Sequence, residues 1–382
     1  MKKNTTQVSR REVRFTAGLD VSDKYSYLAV LDSSGELVEE SRVPTTRKAL
    51  GARFSRDKGA RPLTVVIEVG THSRWISRLL EECGHKVIVA NPRYLRLIFE
   101  NDSKNDRSDA ESLARVGRMD PKLLHPIKHR GDRAHADLTV IRSRDVVVKS
   151  RTKLVNHVRG VAKAFGVRLK KCSTPSFHRR VRESIDSLPE GLKPAVVPLL
   201  DILEQLTREI DRFDRLVEKT ARDKYPETER LSQPVGVGPL TSLAYVLTLE
   251  DPHRFSGSRK VGSYLGLRTR RDQSGGRDPQ LRITKAGDSL VSRLLVGSAQ
   301  YILGPFGPDC DLRRWGLKLA ARGGKNAKKR AAVAVARKLA VLLHRLWITG
   351  EDYDPFRNAK RMEKRLEAMS QIPAQAGLLK AS

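Results

Sequence analysis

Four carboxylates in this chain have the type and spacing that could hold divalent metal ions against a phosphate. Asp106 and Asp109 stand three residues apart, so both lie on one face of the first turn of a predicted helix. An ordinary acidic first turn, capped by Ser108 or Asp106, is the simpler interpretation, because the helix N-terminus is partially positive. Asp20 and Glu68 favour a metal site instead, because they stand where two upstream strands are predicted to end.

A serine in the second half of the chain could act as a nucleophile. Ser274 is followed by two glycines, and cations surround it. Glycines leave room for a phosphate to approach the backbone, and arginines neutralise it through paired hydrogen bonds. The candidate phosphate-binding cations are Arg268, Arg270, Arg271, Arg277 and Lys285. A basic surface loop with an incidental serine is the alternative interpretation.

A second glycine-rich turn precedes an apolar helix predicted at residues 240–249. Gly236 and Gly238 flank a valine there, and a Gly-x-Gly turn that opens a helix exposes backbone amides to a phosphate. The pattern resembles a helix-hairpin-helix contact with a DNA backbone. A nucleotide P-loop is not expected, because no Gly-Lys-Ser/Thr follows. A tight turn without a ligand remains the alternative.

Composition points to a nucleic-acid partner. The chain has 382 residues, enough for two or three domains, with 74 Lys and Arg against 44 Asp and Glu and a net charge of +30. No apolar run approaches the ~18 residues of a membrane helix, and no signal peptide is evident. Cys83, Cys172 and Cys310 are isolated, which argues against disulfides and zinc. We therefore expect a cytoplasmic, nucleoid-associated protein that does not bind membranes.

The first third of the chain predicts an α/β domain. Strands are predicted at residues 14–20, 25–31, 36–43, 63–69 and 86–90, with helices at 46–58, 73–83 and 91–99 and a later helix bearing Asp109. Three hairpin-linked strands followed by crossovers give a mixed sheet. This is the ribonuclease-H-like, or RuvC-like, layout, in which Asp20, Glu68, Asp106 and Asp109 meet at one sheet edge.

The rest of the chain is predicted to be mostly helical. Long helices at residues 132–165 and 199–221, the second with near-heptad apolar spacing, favour an antiparallel or intermolecular coiled coil; a helical linker packed on its own chain is the alternative. Further helices are predicted at 289–298 and 331–347. We expect four regions: a metal-binding domain (13–128), a helical linker (129–225), a smaller helical domain with Ser274 (226–358) and a basic tail (359–382).

Several sequence blocks together resemble the insertion-sequence-110 type of transposases, relatives of the Piv DNA invertase. Each block is weak alone, but all occur in the family's order between residues 14 and 355. In the first half they are Gly18-Leu19-Asp20, Glu68 with Gly70, Asn91-Pro92, and Lys104-x-Asp106-x-x-Asp109-Ala110. In the second half they are Gly236-Val237-Gly238, Tyr264-Leu265-Gly266-Leu267, Ser274-Gly275-Gly276, Ile283-Thr284-Lys285-x-Gly287-Asp288, and residues 334–340 followed by Tyr353.

The resemblance implies a mechanism and partners. It implies a RuvC-like domain whose Asp-Glu-Asp-Asp set is Asp20, Glu68, Asp106 and Asp109 and binds one or two Mg²⁺ ions, and a transposase domain whose catalytic serine is Ser274. It also implies a structured guide RNA that pairs with donor and target DNA, and a tetramer in which the acids of one protomer complete the serine site of another. Lys104, Gly236 and Gly238 join the cations around Ser274 as candidate nucleic-acid contacts.

Two other functions fit parts of the pattern. A RuvC-like nuclease that hydrolyses DNA junctions with a metal-bound water would need the four acids but not Ser274. A non-catalytic RNA or DNA scaffold would need only the charge and the long helices. Trapping a covalent protein–DNA adduct separates the recombinase from the nuclease, and replacing Asp106 or Asp109 separates both enzymes from the scaffold.

Overall fold

The chain folds as two compact units, residues 1–129 and residues 130–382. The computed structural model describes residues 15–56, 61–95, 105–279 and 281–370. Within these ranges, no helix has both the length and the apolar character needed to cross a membrane. The predicted continuations of the first and third helices beyond residues 56 and 95 lie outside the described residues, as does Lys104.

Unit 1 is built on a five-stranded mixed sheet. Its strands are β1 (Phe15–Val21), β2 (Tyr25–Leu31), β3 (Leu37–Pro44), β4 (Leu63–Glu68) and β5 (Lys86–Ala90). The order is β3-β2-β1-β4-β5; the first three strands pair antiparallel, and β4 pairs parallel to both β1 and β5. The β2–β3 turn forms because the Asp32 carboxylate accepts the amide hydrogens of Ser34, Gly35 and Glu36 at 2.8–3.0 Å. The predicted RuvC-like mixed sheet is confirmed.

Helices cover both faces of this sheet. They are α1 (Arg47–Phe54), α2 (Ser73–Glu82), α3 (Pro92–Leu95) and α4 (Asp106–Met119). Side chains from α1 and α2, such as Leu50 and Ile76, join Leu19 and Ile67 in one apolar cluster. Leu113 of α4 belongs to a separate cluster that also contains residues of β4 and β5. The sheet therefore has α1 and α2 on one face and α4 on the other.

Unit 2 begins with a long helical hairpin. Its helices are α5 (Asp132–Ala164), the short α6 (Phe177–Arg182) and α7 (Lys193–Lys224). Leu138 near the start of α5 and Val217 near the end of α7 share one apolar cluster, and Val158 and Leu203 share another. The two helices therefore pair antiparallel within one chain, one of the predicted arrangements.

The remaining helices of unit 2 enclose a single core. They are α8 (Glu227–Leu231), α9 (Pro239–Leu249), α10 (Arg259–Tyr264), α11 (Ser289–Leu303), α12 (Asp311–Ala320), α13 (Ala327–Thr349) and α14 (Arg357–Ser370). Residues 241–249 of α9 are all buried, and the Tyr245 hydroxyl donates to the Ala340 carbonyl of α13 at 2.7 Å. Leu138 and Val217 of the long hairpin pack into the same core. Helix α14 occupies the start of the segment predicted as a tail.

Candidate active site

Asp20 and Glu68 end neighbouring parallel strands. The register between β1 and β4 runs up to Leu19 opposite Ile67, so Asp20 and Glu68 are the next residues on the two strands. Side chains alternate along a strand, and Leu19 and Ile67 both face the α1–α2 cluster. Asp20 and Glu68 therefore stand on the opposite face, the one that α4 covers. Asp20 is partly buried and Glu68 is exposed.

Helix α4 packs on β1 through a glycine. A Cβ atom on Gly18 would lie 1.9 Å from the Ala110 carbonyl oxygen and 2.7 Å from the Ala114 nitrogen. Further along the helix, a Cβ atom on Gly117 would lie 2.3 Å from a methyl group of Val66. The two glycines bring the backbone of α4 directly against the sheet.

This packing fixes which end of α4 meets Asp20. Gly117 lies beside Thr16, whereas Ala110 lies beside Gly18, so the helix runs antiparallel to β1. Two strand residues beyond Gly18 span about 6.6 Å, and four helix residues before Ala110 span about 6 Å. The backbone thus brings Asp106 level with Asp20.

Asp109 lies on the side of α4 that faces β4. It stands one turn before Leu113, which shares an apolar cluster with Val66 of β4. The first turn of α4 is stabilised by Asn105, whose side chain accepts the Arg107 amide hydrogen at 3.1 Å. The predicted first-turn position of Asp106 and Asp109 is confirmed, but the cap is Asn105 rather than Ser108 or Asp106.

The side chains do not form a closed metal-binding group here. Within the described residues, no three His, Cys, Asp or Glu side chains lie close enough to share a metal ion. Asp20 and Glu68 each interact with another group. Carboxylate oxygens are nevertheless the type of ligand that hard divalent cations require.

A histidine–aspartate pair lies next to these acids in sequence. His72 accepts the indole hydrogen of Trp75 on Nδ1 at 3.1 Å, so its Nε2 atom donates to the Asp23 carboxylate at 3.0 Å. His72 therefore holds the Asp23 carboxylate by a hydrogen bond. The pair connects the loop after β1 to the start of α2.

Ser274 lies at the tip of an extended hairpin, which we call the serine hairpin (residues 266–279 and 281–287). Arg270 donates its amide hydrogen to the Arg282 carbonyl at 2.9 Å, and Thr284 donates to the Arg268 carbonyl at 2.8 Å. At the tip, Ser274 and Arg277 exchange two backbone hydrogen bonds of 3.2 and 3.1 Å across two glycines. The Gly-Gly pair is thus a two-residue turn, with a φ of +54° at Gly275.

The base of the serine hairpin is tightly packed, whereas its tip is open. A Cβ atom on Gly266 would lie 2.5 Å from the Ala286 nitrogen, and one on Gly287 would lie 2.3 Å from the Tyr264 carbonyl oxygen. Every residue from 268 to 278 is exposed. In the part of the chain that the structure describes, the Ser274 hydroxyl has no hydrogen-bond partner. Among the described residues, the hairpin therefore offers an exposed serine hydroxyl that is not already engaged by another side chain.

The predicted cations lie on this hairpin together with one that sequence reasoning missed. The arginines assigned from sequence, Arg268, Arg270, Arg271 and Arg277, are exposed along it, as is Lys285 near its base. Arg282 was not among the predicted contacts, yet it pairs with Arg270 across the ladder and is also exposed. Arg282 lies opposite Arg270 because the two arms of the hairpin pair. In the sequence, only the two-glycine turn indicates that these arms pair.

The turn at Gly236 and Gly238 joins α8 to α9, the apolar helix predicted after it. Gly236 has a φ of +81°, and a Cβ atom there would lie 3.0 Å from the Ser298 carbonyl oxygen. Gly238 is exposed at the start of α9, and a Cβ atom there would meet nothing within 4 Å. Packing thus explains the glycine at 236 but not the one at 238.

Comparison with known families identifies the chain. A model of DEDD transposases of the IS110 type matches residues 17–165, and a model described as "Transposase IS116/IS110/IS902 family" matches residues 228–308. The chain belongs to the IS110 family of transposases. It is therefore an enzyme that cleaves and rejoins DNA, and DNA is its substrate. The DEDD class of its first match implies a divalent metal ion.

Relatives of this IS110-family transposase align over most of its length. A probable family 20 transposase of Pseudomonas aeruginosa is 28% identical over 77% of this chain and 86% of its own. The transposase for insertion sequence element IS1111A of Coxiella burnetii is 26% identical over 88% and 90%. Thermus thermophilus RuvC aligns with 28% of this chain and 96% of its own at 16% identity and a TM-score of 0.21.

Proposed function

We propose that this transposase cuts and rejoins DNA through a covalent bond to Ser274, with Mg²⁺ held by Asp20, Glu68, Asp106 and Asp109. The observation that carries the proposal is the serine hairpin. It combines an exposed serine on a two-residue glycine turn, a tightly packed base and arginines on both arms. A hydrolytic nuclease needs no such serine.

The four acids have a defined role in this proposal. Carboxylate oxygens suit Mg²⁺, which supplies charge stabilisation at the attacking and leaving oxygens of a phosphodiester. Asp20 and Glu68 lie on a rigid sheet, and Asp106 and Asp109 lie on a helix held against that sheet at Gly18. The backbones of all four residues are thereby held by the packing of α4 on the sheet.

The proposed covalent step conserves the phosphodiester bond. The Ser274 oxygen attacks phosphorus, the bond from phosphorus to the 3′ oxygen breaks, and the leaving 3′ oxygen takes up a proton. A 3′ hydroxyl of the exchanged strand then attacks the phosphoserine and restores the serine hydroxyl. Arg270, Arg277 and Arg282 neutralise the phosphate during both steps. No ATP is required, because the covalent link preserves the bond energy.

We further propose that a structured RNA guides the enzyme and that it acts as a tetramer. The family resemblance implies both, and the net charge of +30 exceeds what a short DNA contact needs. The acids lie in unit 1 and Ser274 lies in unit 2. The Ser274 hydroxyl has no hydrogen-bond partner among the described residues, so a site completed by another protomer is consistent with the serine hairpin.

Covalent adduct formation tests the nucleophile. The full chain, with its element's DNA ends and flanking RNA, is quenched in denaturant and separated on a denaturing gel. The parent should give a protein–DNA adduct, and Ser274→Ala should give none while still binding DNA. Ser150→Ala, an exposed serine on α5, is the matched control and should form the adduct. An adduct in Ser274→Ala would refute the assignment, and cut DNA without any adduct would favour hydrolysis by water.

A further inference from the structure

One segment of unit 2 concentrates positive charge without any acid. Residues 312–350 contain eleven lysines and arginines and no aspartate or glutamate. Helix α7, by contrast, mixes both signs: Arg208 pairs with Glu204 at 2.5 Å, and Arg212 pairs with Glu209 at 2.7 Å. The positive charge of residues 312–350 is therefore not offset by any acid within the segment, unlike that of α7.

The loop between α12 and α13, together with the first residues of α13, presents five of these cations to solvent. We call residues 321–330 the basic loop; its exposed cations are Arg322, Lys325, Lys328, Lys329 and Arg330. Gly323 and Gly324 turn the chain with φ values of +75° and +92°. Arg330 donates to the Gly323 carbonyl at 3.3 Å, and the Ala327 amide donates to the Gly324 carbonyl at 3.1 Å. The loop is thus held in one conformation at the start of α13.

The charge of the basic loop works against the local fold. Across the described ranges, neither Arg322 nor Lys325, Lys328 or Lys329 forms an ion pair. Lys328 and Lys329 stand in the first turn of a 23-residue helix, where the partial positive charge of the helix end repels cations. Unit 1 places Asp106 and Asp109 at the equivalent position of α4. Charges that oppose the fold without local compensation are typical of functional surfaces.

We propose that the basic loop binds the phosphodiester backbone of the DNA duplex on which this transposase acts. Lysine ammonium groups bind phosphates as point charges, and the open space at Gly323 leaves the loop backbone accessible. Such contacts position a duplex without reading its sequence, whereas the serine hairpin would meet only the phosphate that is cut. The proposal depends on the DNA-cleaving activity that the family shows, and not on the nucleophile assigned to Ser274.

Salt dependence of DNA binding tests this surface. Binding of the full chain to a duplex of about 25 base pairs with unrelated sequence is measured by anisotropy between about 50 and 200 mM salt. In Lys325→Gln/Lys328→Gln/Lys329→Gln, the slope of log K against log salt should fall by about 2.7, or about 0.9 per lost phosphate contact. The ratio of variant to parent Kd should then shrink about 40-fold across this range.

Two further variants make the result specific. Arg208→Gln/Arg212→Gln/Arg222→Gln on α7 removes the same net charge from exposed ion pairs and should keep the parent's slope. A triple Lys→Arg variant of the basic loop should also keep it. Equal slopes for the Gln variant and the α7 control would overturn the proposal. A fall in slope confined to an RNA duplex of the same sequence would overturn it in favour of an RNA contact.

Discussion

Adding one methyl group at Gly18 should separate the two halves of the acidic site. In Gly18→Ala the new Cβ atom would lie 1.9 Å from the Ala110 carbonyl oxygen and 2.7 Å from the Ala114 nitrogen. Both neighbours are backbone atoms of α4, so no side chain can rotate away. The helix must retreat by about 1.5 Å to restore an ordinary contact of 3.4 Å. Asp106 and Asp109 would move with it, away from Asp20.

The expected losses follow from this displacement. Overpacking a well-packed core costs about 1–3 kcal/mol, so we expect the free energy of unfolding to fall by that amount. A displacement of about 1 Å in a catalytic group can cost about 100-fold in rate, so DNA cleavage should fall by at least that factor. Urea denaturation and the cleavage rate at saturating Mg²⁺ measure the two effects.

Gly51→Ala is the matched control in the same unit. A Cβ atom on Gly51 would meet only a methyl group of Leu79, at an ordinary 3.9 Å. Alanine inside α1 should stabilise the helix by up to about 1 kcal/mol and leave cleavage unchanged. If Gly18→Ala has the same free energy of unfolding and the same DNA-cleavage rate as the parent, the close packing of α4 on β1 is not what positions the acids.

Two further predictions concern unit 2. Gly236→Ala should lower the free energy of unfolding by about 1–3 kcal/mol, because the φ of Gly236 is +81° and the Ser298 carbonyl is close. Gly238→Ala should not lower it by this amount. Equal losses for the two variants on urea denaturation would contradict the prediction. Burial lowers the pKa of His344 below its usual 6.5, so its contribution to stability is complete above pH 6.5 and falls as the pH drops below that value. His344→Gln should therefore flatten the fall in unfolding free energy between pH 7.5 and 5.5, and an unchanged slope would refute it.

The sheet of unit 1 was predictable because its signals are local and independent. Alternating or continuous apolar runs mark each strand, and turn residues such as Gly35 and Gly84 separate them. The predicted strands match the observed ones to within one residue at each end. The cap of α4 was not predictable, because Asn105, Asp106 and Ser108 are all good capping residues. The choice depends on which side chain reaches the Arg107 amide.

Helix α12 and the start of α7 were not predicted from the sequence, and the physical cause is the same in both. Gly316 lies in the middle of α12 and reads as a break, yet a Cβ atom there would lie 2.5 Å from a Val335 methyl group. Close packing against α13 therefore outweighs the low helix propensity of glycine. Helix α7 likewise begins at Lys193 and continues through Pro198, because Val196 and Leu200 are buried in one cluster with Val158 of α5. Tertiary packing overrode the local signal in both helices.

The candidate site was only partly visible in the sequence. The predicted ends of β1 and β4 placed Asp20 and Glu68 at the same edge of the sheet. No local feature of the sequence predicts which face of the sheet α4 covers. The close approach of α4 to Gly18 decides which face is covered. The glycine inside β1 was the sequence signal that could have indicated this approach. The turn at Ser274 was marked by its two glycines. Its flanking arms lack apolar alternation, so their pairing could not be predicted.

The most direct test of Ser274 as the nucleophile is to identify the protein atom that is bonded to the DNA. Adducts trapped from the parent enzyme are digested with protease and nuclease, and the residual nucleotide is mapped by mass spectrometry. If Ser274 is the nucleophile, a nucleotide should be joined through its 5′ phosphate to the peptide that contains Ser274. A nucleotide on any other residue, or cleaved DNA with no modified peptide, would contradict it.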